Sequence, residues 1–480
     1  MNWKEKAIKY LKDSLYPVPT ELNEIDWKSG LSSKTERLAQ HLCAFSNQED
    51  GGFLVFGVND DATMFSVTKE QTDEIVKKLG NIAKNNLSQS LQILHNTIDY
   101  NSNALLFIYI PEQIEKPVYL RGKTIYDSYY RSAGQTVKIS KQEVKQLIAE
   151  SQGILFHEQI ALTRATADDV LRLLDYDCYL KLTNRNLPET KTGILDVLVD
   201  AEFIIKQDDY WNITNLGALL FARDLTKFKG LQYKTLRIIL YTGKGRIEAH
   251  PELTFKEGYA CGFEHFIQFI MERTSVEVIE KVFREIKESY PERTVRELLA
   301  NSLIHQDLWQ NGTHTMVEIF PDRMEMTNPG TPLVDINRFI DTPPKSRNEK
   351  IAIMMHFFEL CELRGSGVDR AIEAIEKAIL PAPKFIKGDF YTQVVIYPKK
   401  TFSEMTKEDR IRACYQHCCL KYMDNEKMTN QSFRERMGIE EKNYPMASKI
   451  IKETVNTGLI KGYAPENIIK KAISYVPYWG

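Results

Sequence analysis

The chain has little of several features that would place it in a specialised class. It has 480 residues, only seven scattered cysteines and a formal net charge of −2. An odd, scattered set of cysteines argues against a disulfide framework and agrees with a reducing compartment. No run approaches the roughly 18 to 20 apolar residues of a membrane span, and no internal repeat or low-complexity stretch occurs. Because the net charge is small, nucleic-acid binding would require local basic patches.

What the sequence does contain is typical of a soluble globular protein with ample core. Hydrophobic residues make up 43% and charged residues 27% of the chain, an ordinary balance for folded domains. The length predicts about three or four domains. The chain opens on MNWKEKAIKYLKDSL, which has the pattern of a charged amphipathic helix rather than of a signal peptide. We therefore expect a cytoplasmic protein with no membrane partner.

One helix in the second half of the chain has two distinct faces, because positions four apart share a face at 3.6 residues per turn. Its polar face is formed by Glu297, Asn301 and His305. Its apolar face is formed by Val295, Leu299 and Leu303. The pattern predicts a helix that packs on a core along one face and borders a site along the other.

A hairpin and a glycine-rich turn follow this helix. Met316–Phe320 and Met324–Thr327 alternate around a short turn, which predicts two antiparallel strands, and the second strand leads into Asn328-Pro329-Gly330. Downstream, Arg364-Gly365-Ser366-Gly367 precedes a helix predicted near Val368. Each motif alone is weak, but their order favours a nucleotide pocket.

The predicted phosphate end uses the polar helix face and the glycine-rich turn. Glu297 can orient or deprotonate a water, and Asn301 can offer a neutral oxygen to Mg²⁺. Gly365 and Gly367 leave backbone amides bare at a helix start, where the helix dipole favours phosphate oxygens. The ordinary alternatives are a solvated helix face and a common loop.

The predicted base end lies at the end of the second strand. Asn328 carries an acceptor and a donor suited to a base edge, and Gly330 lets ligand and backbone approach closely. The proline-rich segment from Thr331 to Asn348 is the predicted lid, with Lys345 and Arg347 available to phosphates.

This order of residues resembles the Bergerat ATP-binding fold of gyrase B, MutL and histidine kinases, the GHKL group. More narrowly, it resembles the divergent ATP-binding domain that follows a Schlafen AlbA-type domain in many bacterial regulators. The resemblance rests on Arg296, Glu297, Asn301, His305, Asp307, Thr327 to Gly330, Arg347, Asn348 and Arg364 to Gly367. The main group has an aspartate where this chain has Asn328, so an amide rather than a carboxylate would read the base here.

The resemblance implies an α/β sandwich that binds ATP and Mg²⁺. Glu297 would be the base for any hydrolysis, and Asn301 would be the metal ligand. The implied nucleotide contacts are Asn301, His305, Asn328, Gly330, Arg347, Arg364, Gly365 and Gly367.

The first predicted domain covers residues 1–152 and has an α+β order of elements. A helix from about Lys34 to Phe45 precedes the apolar strand Phe53–Val58, and two further strands follow at Leu91–Tyr100 and Ala104–Ile110. The segment resembles the Schlafen AlbA-type domain, a module associated with nucleic-acid binding. The matching residues are Glu21 to Lys28, Ala44 to Asn47, Gly51, Gly52, Gly57 to Asp60, Tyr130 and Arg131.

The same resemblance implies an alternative activity. Glu21, Asp26 and Asp60 stand at places similar to those of the acids that hold metal ions in RNA-cleaving Schlafen relatives. Carboxylates that converge from separate elements can clamp divalent ions at a scissile phosphate. Acids near turns also cap helices or stay solvated. A metal-dependent nuclease licensed by nucleotide is therefore the alternative function, and it requires that these three carboxylates converge.

The first domain also has a basic and aromatic strip that can meet phosphates and stack bases. Its members are Tyr119, Arg121, Lys123, Tyr126, Tyr130, Arg131 and Lys138. Arg131 is the principal predicted nucleic-acid contact in this domain. An ordinary charged sheet face is the alternative.

Two predicted segments follow. Residues 153–215 have helix patterns at Ala167–Leu174 and Gly193–Ala201 and then a short hairpin, which indicates a winged-helix-like connector. Residues 216–400 form the predicted nucleotide domain. Its strand Lys234–Tyr241 leads to helices predicted at Phe263–Glu272 and Val276–Ser289.

Residues 401–480 predict a winged helix-turn-helix whose third helix opens with Pro445 and closes at Gly458. An apolar stripe that includes Ala447 and Ile451 leaves Lys449 and Lys452 outward as predicted DNA contacts. A winged helix used for protein contacts is the alternative.

One cysteine cluster lies in this last segment and comprises Cys414, His417, Cys418 and Cys419. A zinc site is conceivable, but no second ligand pair follows at zinc-finger spacing. Buried thiols on an apolar helix face are favoured.

The sequence thus predicts an α+β multidomain protein made of an AlbA-type domain, a Bergerat-type sandwich and a winged helix-turn-helix. Its expected partners are ATP with Mg²⁺, nucleic acid with DNA favoured over RNA, and a second copy of itself in a homo-oligomer. The predicted function is nucleic-acid binding controlled by nucleotide state, in transcription regulation or antiviral defence against phage.

Overall fold

The structure is a computed structural model that describes residues 2–15, 19, 21–132, 134–280, 283–343, 345–362, 367–463 and 473–480. The chain divides into two compact units, Met1–Leu155 and Phe156–Gly480. Helices and several sheets occur in both units, which confirms the predicted α+β multidomain class. Within the described residues, no helix has both the length and the apolar character that a membrane crossing requires.

The first unit is built on a four-stranded sheet of order β1-β2-β4-β3, in which only the β1–β2 pair is parallel. A separate hairpin pairs β5 with β6. The helices are α1 (Trp3–Leu15), α2 (Thr35–Asn47), α3 (Lys69–Asn85) and α4 (Lys141–Ser151). The strands are β1 (Ile25–Lys28), β2 (Gly52–Phe56), β3 (Leu94–Tyr100), β4 (Asn103–Ile110), β5 (Tyr129–Ser132) and β6 (Gln135–Lys138).

Strand β2 has the sequence GFLVF and is buried along its whole length, because both faces of the sheet are covered. Alternate side chains of a strand point to opposite faces. Leu54 and Phe56 pack with α2 and α3, whereas Phe53 and Val55 pack with α1. This two-sided burial explains why the strand is continuously apolar rather than alternating.

The second unit begins with a three-stranded sheet of order β7-β9-β8 and four short helices. The strands are β7 (Ile160–Ala165), β8 (Ile204–Gln207) and β9 (Tyr210–Thr214). The helices are α5 (Ala167–Leu173), α6 (Tyr176–Leu182), α7 (Lys191–Asp200) and α8 (Asn215–Phe221). The two predicted helices correspond to α5 and α7, and the predicted hairpin corresponds to β8–β9.

A six-stranded sheet of order β11-β10-β14-β15-β17-β16 follows, and only its β10–β14 pair is parallel. Its strands are β10 (Leu236–Leu240), β11 (Leu253–Phe255), β14 (Thr315–Phe320), β15 (Arg323–Pro329), β16 (Lys384–Lys387) and β17 (Tyr391–Ile396). Strands β12 (Ser275–Glu280) and β13 (Phe283–Glu288) form a separate two-stranded sheet. The helices are α9 (Tyr259–Thr274), α10 (Glu292–Ile304), α11 (Glu349–Phe357) and α12 (Gly367–Lys377). The predicted hairpin Met316–Thr327 is confirmed as β14–β15.

One predicted element of this region is wrong. The segment Val276–Ser289 is not a helix, because it forms most of the antiparallel pair β12–β13. The run Val276-Glu-Val-Ile-Glu alternates in part and is rich in β-branched residues, and these features favour a strand.

The last elements are three helices and a two-stranded hairpin. They are α13 (Lys407–Met423), α14 (Asn430–Met437), α15 (Tyr444–Asn456), β18 (Ile460–Tyr463) and β19 (Ser474–Pro477). Cys414, Cys418 and Cys419 are all buried as free thiols in α13, and no metal-binding group of His, Cys, Asp or Glu is found among the described residues. The burial of these thiols agrees with a packing role.

The hydrophobic cores cross the predicted boundaries at 215 and 400. A single core runs from Ala165 in the connector to Ile396 in the six-stranded sheet. The core of the C-terminal helices also takes in Ile340 and Ile372, which precede residue 400. Segments 153–215, 216–400 and 401–480 are therefore packed together in one compact unit.

Candidate functional site

The site is organised by α10, whose two faces are those that the sequence predicts. Val295, Leu299 and Leu303 are fully buried in the core. Glu297 lies on the other face beside the first residue of α12: a Cβ added at Gly367 would be 2.9 Å from Oε2 of Glu297 and 3.6 Å from Nδ2 of Asn301. The Thr294 hydroxyl donates to the carbonyl of Ala371 at 3.0 Å, which fixes α12 against α10.

A cavity of about 570 Å³ opens in front of this helix face. It lies within the usual range of roughly 300 to 1,000 Å³ for small-molecule sites. Six predicted contacts line it: Asn301, His305, Asn328, Lys345, Arg347 and Gly367. Glu297 and Gly330 do not line the cavity themselves but touch residues that do. Arg364 and Gly365 lie outside the described residues.

Asn328 is buried at the end of β15, and its Nδ2 donates to the carbonyl of Pro329 at 3.2 Å. Gly330 follows with φ of 100°, in the region that favours glycine. A Cβ there would lie 2.8 Å from Cβ of Asp307 and 2.8 Å from Nη1 of Arg347. Gly330 therefore allows protein groups to pack closely behind Asn328, whereas the sequence predicted a close approach of the ligand.

The predicted lid is fastened to the end of α10 by hydrogen bonds to backbone carbonyls. Arg347 donates to the carbonyl of His305 at 3.2 Å and to that of Thr331 at 3.1 Å. Asn348 donates to the carbonyls of Ile304 and Gln306 at 2.7 and 2.8 Å. These bonds hold Arg347 at the cavity wall.

Two titratable groups of the α10 face have shifted pKa values. Burial, and then the nearby charge of Glu362, raises the pKa of Glu297, so its carboxylate is a stronger base than an ordinary one. Burial, and then the charge of Arg347, lowers the pKa of His305 to about 4, so its ring is neutral near pH 7. The polar face of α10 thus carries a carboxylate of raised basicity and, further along, a neutral imidazole.

The apolar part of the cavity was not predicted from the sequence. Leu333, Phe339 and Ile353 contribute to its walls, together with Thr392 and Val394 from β17. The spacing of Thr392 and Val394 was an available signal, because residues two apart on a strand share a face. The apolar walls and polar ends suit a flat ring system attached to an anion.

The first unit has a second concentration of charge around Asp26, which is 1% exposed. Nη1 of Arg131 lies 3.1 Å and Nδ1 of His41 lies 3.0 Å from Oδ2 of Asp26, and Lys28 forms an ion pair with Oδ1. Glu21 accepts from the amide of Trp27 at 2.9 Å, and its Oε2 is 4.0 Å from Arg131. Glu21 and Asp26 therefore come together, as predicted, but in contact with protein cations.

The pKa values of the two acids move in opposite directions. Burial, and then hydrogen bonding to Asp26, raises the pKa of Glu21 to about 7. Burial alone would raise the pKa of Asp26, but hydrogen bonds from His41 and Glu21 and the charges of Arg131 and Lys28 hold it well below its usual range. Below about pH 7 the pair therefore keeps a proton on Glu21 and the negative charge on Asp26.

The predicted metal site of the first domain is not supported. Asp60 is exposed in the turn that follows β2, and no group of three or more His, Cys, Asp or Glu that could hold a metal ion occurs in the described part of the chain. Arg131 and Lys28 occupy the oxygens of Asp26 that a divalent ion would need. These residues do not fit a two-metal nuclease centre.

The structure also corrects the predicted role of Arg131. This side chain is buried, donates to Thr136 at 3.1 Å and lies 5.1 Å from the ring centroid of Phe45, so it does not face solvent. Arg121, Lys123 and Lys138 of the same predicted strip are exposed. Lys138 is paired with Asp127 at 2.7 Å and Arg121 donates to the carbonyl of Leu87 at 3.0 Å, so a phosphate would have to share these two side chains with protein partners.

Helix α15 presents its basic residues as the sequence predicts. Lys449 and Lys452 are exposed, whereas Ala447, Ile450 and Ile451 are buried in the C-terminal core. Pro445 lies in the first turn. The outward face of α15 is therefore open to a partner.

Comparison with known protein families agrees with both resemblances. Residues 21–140 match the family described as Schlafen, AlbA_2, and residues 312–396 match the family described as "Putative ATP-dependent DNA helicase recG C-terminal". The second match, a GHKL-type domain, includes Asn328, Arg347 and Gly367 but begins after α10. Together these domains indicate a nucleotide-linked function on nucleic acid.

No curated protein matches this chain. A crystal structure of a protein from Corynebacterium diphtheriae is similar over 99% of this chain and 97% of its own, with 15% sequence identity and a TM-score of 0.41. A solution structure of the N-terminal domain of a RecG-related protein from Nitrosomonas europaea covers 27% of this chain and 90% of its own. That pair shares 24% identity with a TM-score of 0.20.

Proposed function

We propose that this chain binds ATP with Mg²⁺ in the α10 cavity and that nucleotide state controls its binding to nucleic acid, with DNA favoured over RNA. The observation that carries the proposal is the cavity itself. Asn301 and Gly367 line it, with Glu297 beside Gly367, and Asn328 lies at the end of β15 on its wall. Its volume and mixed polar and apolar lining suit a nucleotide.

Each end of the cavity has a definite chemical role in this proposal. The Asn301 side chain offers the oxygen ligand for Mg²⁺, which when bound neutralises charge on the phosphate oxygens. The start of α12 at Gly367 places its amides and dipole towards the same phosphates. Glu297, with its raised pKa, accepts a proton from an attacking water if hydrolysis occurs. Asn328 and the apolar walls hold the base.

The nucleic-acid part of the proposal is supported by exposed basic side chains in both units. Lys449 and Lys452 lie on the outward face of α15, and Arg121, Lys123 and Lys138 are exposed in the first domain. Each can neutralise a phosphate, and the net charge of −2 requires such local binding. A homo-oligomeric regulator of transcription or an antiviral defence factor is consistent with this chemistry.

Isothermal titration calorimetry with MgATP tests the nucleotide proposal. We expect Asn301→Ala and Gly367→Glu each to weaken binding by at least about tenfold, because one removes a metal ligand and the other places a carboxylate in the phosphate end. Asn311→Ala and Gly245→Glu are matched controls at exposed positions, and a Cβ at Gly245 meets nothing within 4 Å. No heat with the unaltered chain, or equal affinity in all four variants, would refute the proposal.

Incubation with labelled DNA and RNA, with and without MgATP, tests the nucleic-acid proposal. We expect binding that responds to nucleotide and no cleavage, because Asp26 is occupied by protein cations. Metal-dependent cleavage that is lost in Asp26→Asn but retained in Glu70→Gln, an exposed change on α3, would restore the nuclease alternative.

A further inference from the structure

The wall of the cavity is attached directly to the C-terminal helices. Phe339 and Thr342 line the cavity, and the short helical turn Ile336–Arg338 precedes them. The carbonyl of Asn337 accepts a hydrogen bond from the hydroxyl of Tyr415 in α13 at 2.5 Å. Ile340, between the two cavity residues, is buried in the core of the C-terminal helices. Residues 336–342, the wall segment, therefore belong to both the cavity and the C-terminal core.

The end of the chain strengthens this first attachment. The guanidinium of Arg338 lies 5.0 Å from the ring centroid of Trp479, within the range of a cation–π contact. Nε1 of Trp479 donates to the Tyr415 hydroxyl at 3.2 Å, so one hydroxyl links Trp479 to the wall segment. Arg338 is also paired with Asp341 within the segment.

Helix α12 makes a second attachment. Its first residue, Gly367, lies beside Glu297 and Asn301, and Ile372 in its middle is fully buried in the C-terminal core. Eleven residues at 1.5 Å per residue give a rod of about 16 Å. The helix therefore spans the distance from the phosphate end of the cavity to the C-terminal helices.

The far end of α12 is held by a buried polar network. Oε2 of Glu376 lies 2.9 Å from Nδ1 of His417 in α13, and Oε1 lies 3.1 Å from Nε of Arg436 in α14. Nε2 of His417 is 3.2 Å from the Ser432 hydroxyl, and Arg436 also donates to the carbonyl of Leu380 at 2.8 Å. Buried charged groups with several fixed partners define one arrangement, so movement of α12 would have to move α13 and α14 or break this network.

Helix α15, with its exposed lysines, packs on the same two helices. Ile450 and Ile451 share a core with Cys414 and Cys418 of α13 and with Phe433 of α14. Nδ2 of Asn430 at the start of α14 donates to the Ser448 hydroxyl of α15 at 3.0 Å. A shift of α13 and α14 would therefore have to move α15 or break these contacts.

We propose that the wall segment and α12 couple nucleotide occupancy of the cavity to the nucleic-acid affinity of α15. This inference rests on the proposed nucleotide site and adds the contacts through which it acts. A nucleotide that contacts both Phe339 and the start of α12 favours one arrangement of these two elements, and both are fastened to the helices that carry α15. Linkage requires the effect to be reciprocal: duplex DNA must change nucleotide affinity by the same factor.

The test measures duplex DNA affinity without nucleotide and with saturating MgATP. The ratio of the two dissociation constants should lie in the range of about 5 to 150 for the unaltered chain. Tyr415→Phe removes the hydroxyl at the wall segment, and Glu376→Gln removes the charge at the far end of α12. We expect either change to bring the ratio several-fold closer to one while MgATP still binds. Tyr210→Phe, in an exposed residue of β9, should leave the ratio unchanged.

The outcomes separate this inference from the proposed function. If the unaltered chain binds MgATP and DNA but the ratio is one, the coupling is refuted and the nucleotide site stands. If both variants bind MgATP and keep the full ratio, coupling exists but does not use these contacts, and the inference is also refuted. If the unaltered chain does not bind MgATP, the proposed function itself fails. Circular dichroism identifies a variant that does not fold, and the other variant then decides.

Discussion

The Asp26 cluster of the first domain and the α10 cavity of the second unit contain similar residues but present them differently. In the Asp26 cluster, the carboxylate is surrounded by Arg131, Lys28 and His41, so protein groups satisfy its charge. In the cavity, Asn301 and Asn328 border an open volume of about 570 Å³. Polar groups that are satisfied by the protein stabilise a fold, whereas polar groups that border open space are available to a ligand.

The strongest way to test this difference is to remove the proposed base of the cavity. If the chain hydrolyses ATP, Glu297→Gln should lower the rate by about two to four orders of magnitude while nucleotide still binds, because the amide keeps the size but cannot accept the proton. Phosphate release and calorimetry measure the two quantities. Glu292→Gln, an exposed change in the first turn of α10, is the control. An equal rate in Glu297→Gln would place the activity elsewhere.

The next test breaks the Asp26 cluster. Arg131→Ala removes the buried arginine from Asp26 and leaves the carboxylate with Lys28 and His41, which should destabilise the first domain by up to about 3 to 5 kcal/mol. Chemical denaturation of the whole chain, with hydrogen exchange to locate the unfolded region, measures the loss. Arg121→Ala removes an exposed arginine of the same domain and should have little effect on stability. If the Arg131→Ala protein is as stable as the unaltered chain and loses only nucleic-acid affinity, Arg131 is a nucleic-acid contact rather than a structural residue.

A smaller effect is expected from the exposed basic groups of α15. Lys449→Ala combined with Lys452→Ala should weaken duplex DNA binding for all sequences. The slope of log affinity against log salt should flatten by up to about two units, because each phosphate contact releases about one counterion. Lys377→Ala with Lys384→Ala, two exposed changes elsewhere in the unit, is the matched control. An unchanged slope would favour a C-terminal segment that contacts proteins rather than DNA.

The smallest effect concerns the proton shared by Glu21 and Asp26. Because the folded pKa of Glu21 is raised to about 7, the folded state holds this proton more tightly than the unfolded state does. The resulting stability is present below the ordinary pKa near 4.5 and is lost as pH rises through about 7. Glu21→Gln should remove this pH dependence of the free energy of unfolding, which amounts to about 1 kcal/mol after solvent screening. A slope in hydrogen exchange of the first domain that persists in the variant would exclude Glu21 as its source.

The sequence predicted the elements that depend on local pattern. The two faces of α10, the β14–β15 hairpin and the apolar strand β2 follow from period and propensity, and the structure has all three. The start of α15 at Pro445 also followed from local chemistry. Asn301 and Asn328, two of the predicted nucleotide contacts that line the cavity, belong to such elements.

What the sequence did not show depends on contacts between distant residues. Asp26 and Arg131 are 105 positions apart, so no local pattern reveals that the arginine is buried against the acid. The sharing of Ile340 and Ile372 between the cavity region and the C-terminal core is likewise a tertiary effect. The helix predicted at Val276–Ser289 was wrong for a different reason. The residues of this segment fit both a helix pattern and a strand pattern, and the pairing of β12 with β13 decides between the two.

The position of Trp479 makes it an intrinsic fluorescent probe of the wall segment. Its indole makes a cation–π contact with Arg338 and an edge-to-face contact with the Tyr422 ring, whose centroid lies 5.2 Å away. Its nitrogen donates a hydrogen bond to the Tyr415 hydroxyl. Indole emission depends on nearby charge and on hydrogen bonding, so any displacement of residues 336–342 would alter the fluorescence of this tryptophan. The chain has five tryptophans, and replacement of Trp479 by phenylalanine would isolate its signal by difference. Nucleotide titrations can therefore be followed in real time without an attached dye.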